Sequence, residues 1–268
     1  MDTDRQLPER DCSPDPGQGR ERRSRSVRSQ LGKPVDWLYR GGPWRRVGVL
    51  VGCCAVFLAL LSAYVVQPFR IPSGSMENTL RVGDRVLVNK LAYRFGAEPR
   101  RGDVVVFDGT GVFVHDRPAG GSAVIGAIRG VAAAVGLVQP AETDYVKRVI
   151  AVGGDRVTCC DRRGRIEVNG VALEEGDYLH PGDAPSEVPF DTVVPEGRLW
   201  VMGDHRSDSR DSRDHLGEPG GGVVPVDQVI GRADWIGWPF GRWSTTPRPD
   251  GFGAVPDAPA AEAGGTHG

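Results

Sequence analysis

Lysine is nearly missing from this 268-residue chain: Lys33, Lys90 and Lys147 stand against thirty arginines. Chemistry that needs an amine base therefore has only three carriers. Cysteine is also sparse, and its positions exclude a zinc framework. Cys12 is alone, while Cys53-Cys54 and Cys159-Cys160 are adjacent pairs rather than ligands spaced two apart. Adjacent cysteines seldom pair with each other, so the oxidation state of Cys159 and Cys160 stays open. A net excess of either charge is missing as well, with 33 basic and 35 acidic residues and a formal net charge of only −2. That balance hides an asymmetry, because residues 20–46 carry nine basic residues against Glu21 and Asp36. A basic arm directly before an apolar run points to membrane orientation rather than to nucleic acid.

What is present divides into four parts. Residues 1–46 are rich in Arg, Asp, Ser, Pro and Gly and cannot bury enough apolar surface to fold, so a disordered basic cytoplasmic tail is expected. Val47 to Val66 is twenty residues without a charge, which at about 1.5 Å per residue spans roughly the 30 Å of a bilayer core. Its distance from the N-terminus and the poor Leu61-Ser62-Ala63 site favour a retained transmembrane helix over a cleaved signal. The arginines before it place the N-terminus in the cytoplasm, so residues 67–244 form an extracytoplasmic domain at the cell membrane. Thr245 to Gly268 is rich in Pro, Gly and Ala and is expected to be disordered.

The outer domain is expected to be mainly β. Arg85–Val88, Asp103–Phe107 and Tyr145–Val152 are short β-branched runs bounded by turn residues. Arg165–Gly170 is a strand entering a hairpin through Asn-Gly. Residues 109–140 interrupt this pattern, and the small apolar stretch Ser122–Val138 fits a core helix as well as a membrane-touching excursion.

Three segments carry possible chemistry. Ile71-Pro72-Ser73-Gly74-Ser75-Met76-Glu77-Asn78-Thr79-Leu80 offers Ser75 as a nucleophile, although hydroxyl-rich decapeptides also make ordinary loops. A serine needs a base to take its proton. With Lys33 on the cytoplasmic side, Lys90 and Lys147 remain. Strand alternation puts Lys147 with Tyr145 and Val149, and Arg148 with Val146 and Ile150; both sets are apolar, so periodicity does not decide which basic side chain is buried. Met202 to His215 packs donors and acceptors into an orienting network. It could alternatively be a cation site of Asp204, Asp208, Asp211, His205 and His215, though its spacing follows no calcium loop.

Taken together, these segments resemble the bacterial type I signal peptidases, membrane-bound Ser/Lys serine proteases. Ser73-Gly74-Ser75-Met76 matches the nucleophile box of that family, and Gly83-Asp84 with Val86 and Lys90 matches the next. Tyr145-Val146-Lys147-Arg148 with Gly154-Asp155 matches the lysine box. Gly203-Asp204, Arg206, Ser209 and Asp211-Ser212-Arg213 match the last. The resemblance covers about residues 47–240 with gaps. It implies a largely β catalytic domain that removes signal peptides from secretory precursors after a small-x-small motif, with no metal and no organic cofactor. Residue by residue, it implies Ser75 as nucleophile, Lys147 as general base, and Ser73 with the Ser75 N–H as oxyanion donors. Ser209 would orient Lys147, while Asp211 and Arg213 would hold the loops. The lipid bilayer and the precursors are the expected partners, nucleic acid is not, and the chain is read as a monomer. Asn78 stands where the family often has proline. His205 stands where it often has asparagine, which leaves a Ser/His reading open.

Overall fold

The computed structural model describes residues 42–114 and 143–258. The expectations for the N-terminal tail up to residue 41, for 115–142 of the insertion and for 259–268 lie outside the described residues.

Helix α1 spans Pro43–Tyr64. Proline fits the first helical turn because its missing N–H would have no partner there, and the Arg45 N–H caps back to the Gly42 carbonyl at 3.0 Å. Pro43–Ser62 has a mean hydropathy of 1.8 and none of it is buried. Among the described residues it is the one helix long and apolar enough to cross a membrane. The helix starts four residues before the expected span of 47–66. It also ends earlier, because Val66 pairs with Asn89 as the first residue of a strand.

The rest is β. The larger sheet is antiparallel, with spatial order β1-β2-β11-β3-β4-β9-β10 and β12 added to β11. Its strands are β1 (Val66–Arg70), β2 (Arg85–Asn89), β3 (Val104–Asp108), β4 (Asp144–Val152), β9 (Arg198–Met202), β10 (Val224–Pro225), β11 (Val229–Trp238) and β12 (Ser244–Thr245). A second sheet runs β7-β6-β5-β8, from β5 (Arg156–Cys159), β6 (Ile166–Val168), β7 (Val171–Ala172) and β8 (Phe190–Val193). Asn169 and Gly170 join β6 to β7 with φ of 52° and 76°, the two positive values that a type I′ turn requires and that Asn-Gly supplies. Cys159 and Cys160 are joined by a disulfide.

β3 and β4 lie in the middle of the larger sheet and are buried on both faces, which explains their unbroken Val-Val-Val-Phe and Val-Ile-Ala runs. Phe69, Ile71, Met76, Leu80, Val86 and Val146 pack into one core cluster. Val105, Phe107, Val149 and Val201 pack into another. A third joins the second sheet to Trp200 and Met202, and it also takes in Phe252 and Val255. The expected disordered tail from 245 is therefore wrong over 245–258. Two isolated apolar residues in a Pro/Gly-rich stretch are each buried, and β12 pairs with β11.

Candidate active site

Ser75 sits on the loop that leaves β1 and returns to β2. The base of this loop is closed by two backbone bonds, Ile71 N–H to Asp84 O and Gly83 N–H to Ile71 O, both 2.9 Å. Gly83 turns the chain there at φ 90°, a region in which a β-carbon is strained. Met76 and Leu80 anchor the loop by inserting into the core beneath it. Arg242 ties the Asp84 carboxylate from outside at 2.9 Å.

β4 brings the base candidate. Lys147 and Arg148 are consecutive on a strand buried on both faces, so alternation sends them to opposite sides and both lose water. The ambiguity in the sequence is thus real, because both are buried. A buried charge needs a partner, and Arg148 has one. Its guanidinium donates to both Asp204 oxygens at 2.8 and 2.7 Å and to the Gly102 carbonyl at 2.9 Å. It also lies 4.4 Å from the centre of the Tyr178 ring.

Lys147, only 3% exposed, makes no ion pair among the described residues. Its Nζ lies 2.8 Å from Ser75 Oγ. Burial without a paired carboxylate pushes the Lys147 amine down to about 8; Asp211, Asp204 and Asp208 pull it up, and Arg213 pushes it down. Arg148, the adjacent residue, is paired with Asp204. The positive charge that bears on Lys147 is Arg213.

The third segment wraps the pair. Arg213 holds Asp211 with Nε at 2.8 Å from Oδ1 and a second nitrogen 2.9 Å from Oδ2. Burial by itself would raise the Asp211 carboxyl, but the hydrogen bonds and charge of Arg213 outweigh it and hold the group below the usual carboxylate range. Ser209 Oγ donates to Asp211 Oδ2 at 2.8 Å. The resemblance implies a bond between Ser209 and Lys147; the structure shows the Asp211 bond, and the Lys147 amine is directed at Ser75. The Ser209 hydroxyl keeps its lone pairs to accept from an amine. Ser209 still lies close to the nucleophile: a β-carbon on Gly203 would stand 2.3 Å from Ser209 Oγ and 2.5 Å from the Ser75 carbonyl. Glycine at 203 is what lets these segments close together. Ser73 Oγ is 3.5 Å from Ser75 Oγ.

Several supports were not legible in the sequence. Thr79, four residues after Ser75, donates its hydroxyl to Asp204, so the Arg148 pair also grips the nucleophile loop. Glu175 takes the buried Arg206 at 2.5 Å and the Tyr178 hydroxyl at 2.7 Å. The cation alternative dissolves: Asp204 and Asp211 are held by arginines and His215 by Glu218. His205 reaches the nucleophile only through its backbone, N–H to Ser75 O at 3.1 Å, while its ring stacks on His180.

Comparison with known proteins identifies relatives of this chain. Residues 44–238 match the family described as "Signal peptidase, peptidase S26". A probable signal peptidase I of Mycobacterium leprae is 38% identical over 232 residues, which is 76% of this chain and 79% of that protein. A signal peptidase I of Mycobacterium tuberculosis is 41% identical over 220 residues, 74% of each. Signal peptidase IB of Staphylococcus aureus is 28% identical over 217 residues, covering 75% of this chain and 93% of its own. The chain belongs to the signal peptidase family, peptidase S26, and is a serine peptidase of the bacterial type I signal peptidase kind.

Proposed function

We propose that this protein is a membrane-anchored endopeptidase that cuts N-terminal signal peptides from exported precursors, with Ser75 as nucleophile and Lys147 as general base. The observation that carries the proposal is the 2.8 Å contact between Ser75 Oγ and a buried amine with no carboxylate partner among the described residues. Near neutrality a useful fraction of that amine is unprotonated, and the same contact then lets it accept the hydroxyl proton. Ser75 Oγ attacks the scissile carbonyl carbon while its proton passes to Lys147 Nζ. The Ser75 N–H and the Ser73 hydroxyl stabilise the oxyanion. Collapse of the tetrahedral intermediate breaks the peptide C–N bond, and the Lys147 ammonium gives its proton to the departing amine. Lys147 then takes a proton from a water whose oxygen attacks the ester carbonyl, and as the acyl–Oγ bond breaks the Lys147 ammonium returns that proton to Ser75 Oγ. Asp211, held by Arg213, fixes Ser209 and Gly203 around this pair.

Substrate placement follows from the sheet. β1 is an edge strand and runs straight into Ile71 and Ser73, so an extended precursor can add along it. Alternate side chains of such a strand share a face, which is why residues two apart are read together as small-x-small. Purified protein is expected to cleave a precursor that carries alanines at both positions. Ser75→Ala should lower the rate by about 10⁴-fold or more, and leucine at both positions by at least about 10-fold. Cleavage that persists in Ser75→Ala, or equal rates for leucine and alanine, would overturn this reading.

Anchoring is supported by the exposed apolar surface of α1, which has no stable place in water, and by the nine basic residues between 20 and 46, which favour a cytoplasmic N-terminus. Eleven steps separate Tyr64 from Ser75, a reach of at most about 40 Å fully extended. Ser75 thus works near the outer membrane surface, at the height where a precursor still held in the bilayer presents its cleavage site. Trp238 and Trp243 are exposed beside Arg242, the residue that holds the nucleophile loop, and amphipathic indole rings favour that interface. A rigid spacer of several tens of ångströms at Val65 should slow processing of membrane-held precursors and spare short soluble peptides. Equal rates on both substrates, with or without the spacer, would show that height does not matter.

A further inference from the structure

Next to the Ser75–Lys147 pair lies a second group of polar side chains that peptide hydrolysis does not use. Glu77, His180 and His205 come from three separate loops, and one donor atom of each lies within 4.8 Å of the other two. The two imidazoles stack, with ring centres 3.9 Å apart and planes 17° from parallel. Their Nδ1 atoms are both buried, and neither has a hydrogen-bond partner among the described residues. A stack of this kind satisfies apolar contact but gives neither buried Nδ1 a protein partner among the described residues, a position open to a ligand.

The backbones of all three residues are already tied in place. His180 N–H donates to Asp204 O at 2.9 Å, His205 N–H to Ser75 O at 3.1 Å and Glu77 N–H to Gly74 O at 2.8 Å. Further negative charge is close. Asp183 accepts from the Ser207 N–H and hydroxyl, two residues beyond His205, at 3.1 and 2.8 Å, and Asp208 Oδ2 stands 2.9 Å from the place a β-carbon would take on Gly74. Two imidazole nitrogens, one carboxylate and additional acidic charge suit a transition-metal dication. Zinc takes nitrogen and carboxylate oxygen together, whereas magnesium and calcium want oxygen alone.

We propose that Glu77, His180 and His205 form a binding site for a transition-metal dication such as Zn²⁺, which clamps the nucleophile loop to the loops that carry His180 and His205. A metal lies in the plane of each imidazole that binds it, and two nearly parallel stacked planes share no nearby point. At least one ring must therefore turn out of the stack on binding. That reorganisation reduces the affinity relative to a preformed structural zinc site. The clamp supplies no step of peptide hydrolysis, so the proposal stands apart from the Ser75–Lys147 mechanism.

The test is calorimetric and thermal titration of the purified full-length protein with Zn²⁺, with Mg²⁺ in parallel and Co²⁺ as a spectroscopic probe of the ligand set. One Zn²⁺ per chain is expected. At 100 times Kd it should raise Tm by roughly 5–10 °C, with no effect of Mg²⁺. His180→Gln and His205→Gln should each weaken binding by at least about 10- to 100-fold, the loss that even outer-shell changes cause. Both should also alter the visible spectrum of bound Co²⁺. If either histidine variant fails to fold, Glu77→Gln carries the same comparison from a half-buried side chain. Undiminished Zn²⁺ binding in the folded variants would place the metal elsewhere and overturn the proposal, as would no binding by the wild type.

Discussion

Lys147→Met is expected to lower kcat for precursor cleavage by at least about 10²–10⁴-fold, the contribution of a positioned general base. Lys147→Arg should do no better, because a guanidinium stays protonated. His205→Ala is expected to keep near-normal rates, since its ring faces His180 and only its main chain meets Ser75. In the wild type, activity should rise with pH through about 8, the value to which burial brings the Lys147 amine. The carboxylate of Asp211 pulls that amine upward and Arg213 pushes it down. Arg213→Met should therefore move the rising limb to higher pH. A flat profile between pH 6 and 9, or near-normal activity in a folded Lys147→Met variant, would sink the Ser/Lys assignment.

The same lysine makes a separate statement about stability. Its folded pKa lies below the unfolded value of 10.5, so between about pH 8 and 10.5 the unfolded chain binds the extra proton. Stability from this group is fully present above 10.5 and is lost as pH falls through about 8. At neutral pH the buried amine thus costs on the order of 3 kcal/mol. Lys147→Met, which keeps much of the volume without the charge, should leave Tm unchanged or raised while activity falls. A large drop in Tm would instead mean that the substitution damages the fold and that its kinetic effect says nothing about a base.

The sequence exposed this site because its chemistry is local in type even where it is distant in sequence. A chain with three lysines leaves few candidates for an amine base, and runs such as Val104–Phe107 announce strands through their β-branched content. Asn169-Gly170 specified its own turn. What stayed hidden depends on pairing across long separations. No spacing rule joins Arg148 to Asp204, Thr79 to Asp204 or Arg206 to Glu175, because these meet only once the sheet has formed. The burial of both Lys147 and Arg148 was equally hidden, since a strand covered on both faces has no alternation to read. Phe252 and Val255 were lost in the average composition of a Pro/Gly-rich stretch, yet each fills a place in the core. The helix boundary moved because Val65 and Val66 are as apt for a strand edge as for a lipid-facing turn.

The Arg148–Asp204 pair should show the largest effect on stability. Both side chains are almost wholly buried, and Asp204 is held by two guanidinium nitrogens and the Thr79 hydroxyl. Arg148→Met removes the charge that compensates Asp204 and is expected to cost about 3–5 kcal/mol, or roughly 6–20 °C in Tm for a domain of this size. The double variant Arg148→Met/Asp204→Leu removes both charges together, and much of the lost Tm should return, since well-packed apolar replacements of buried ion pairs are often neutral. Activity should recover less than stability does, because Asp204 is also the acceptor that holds Thr79, four residues beyond Ser75. Thr79→Val isolates that second role: it leaves the ion pair intact and should lower kcat with little change in Tm. If the double variant regained full activity along with its stability, Asp204 would be a packing element only, and the link from the arginine pair to the nucleophile loop would be wrong.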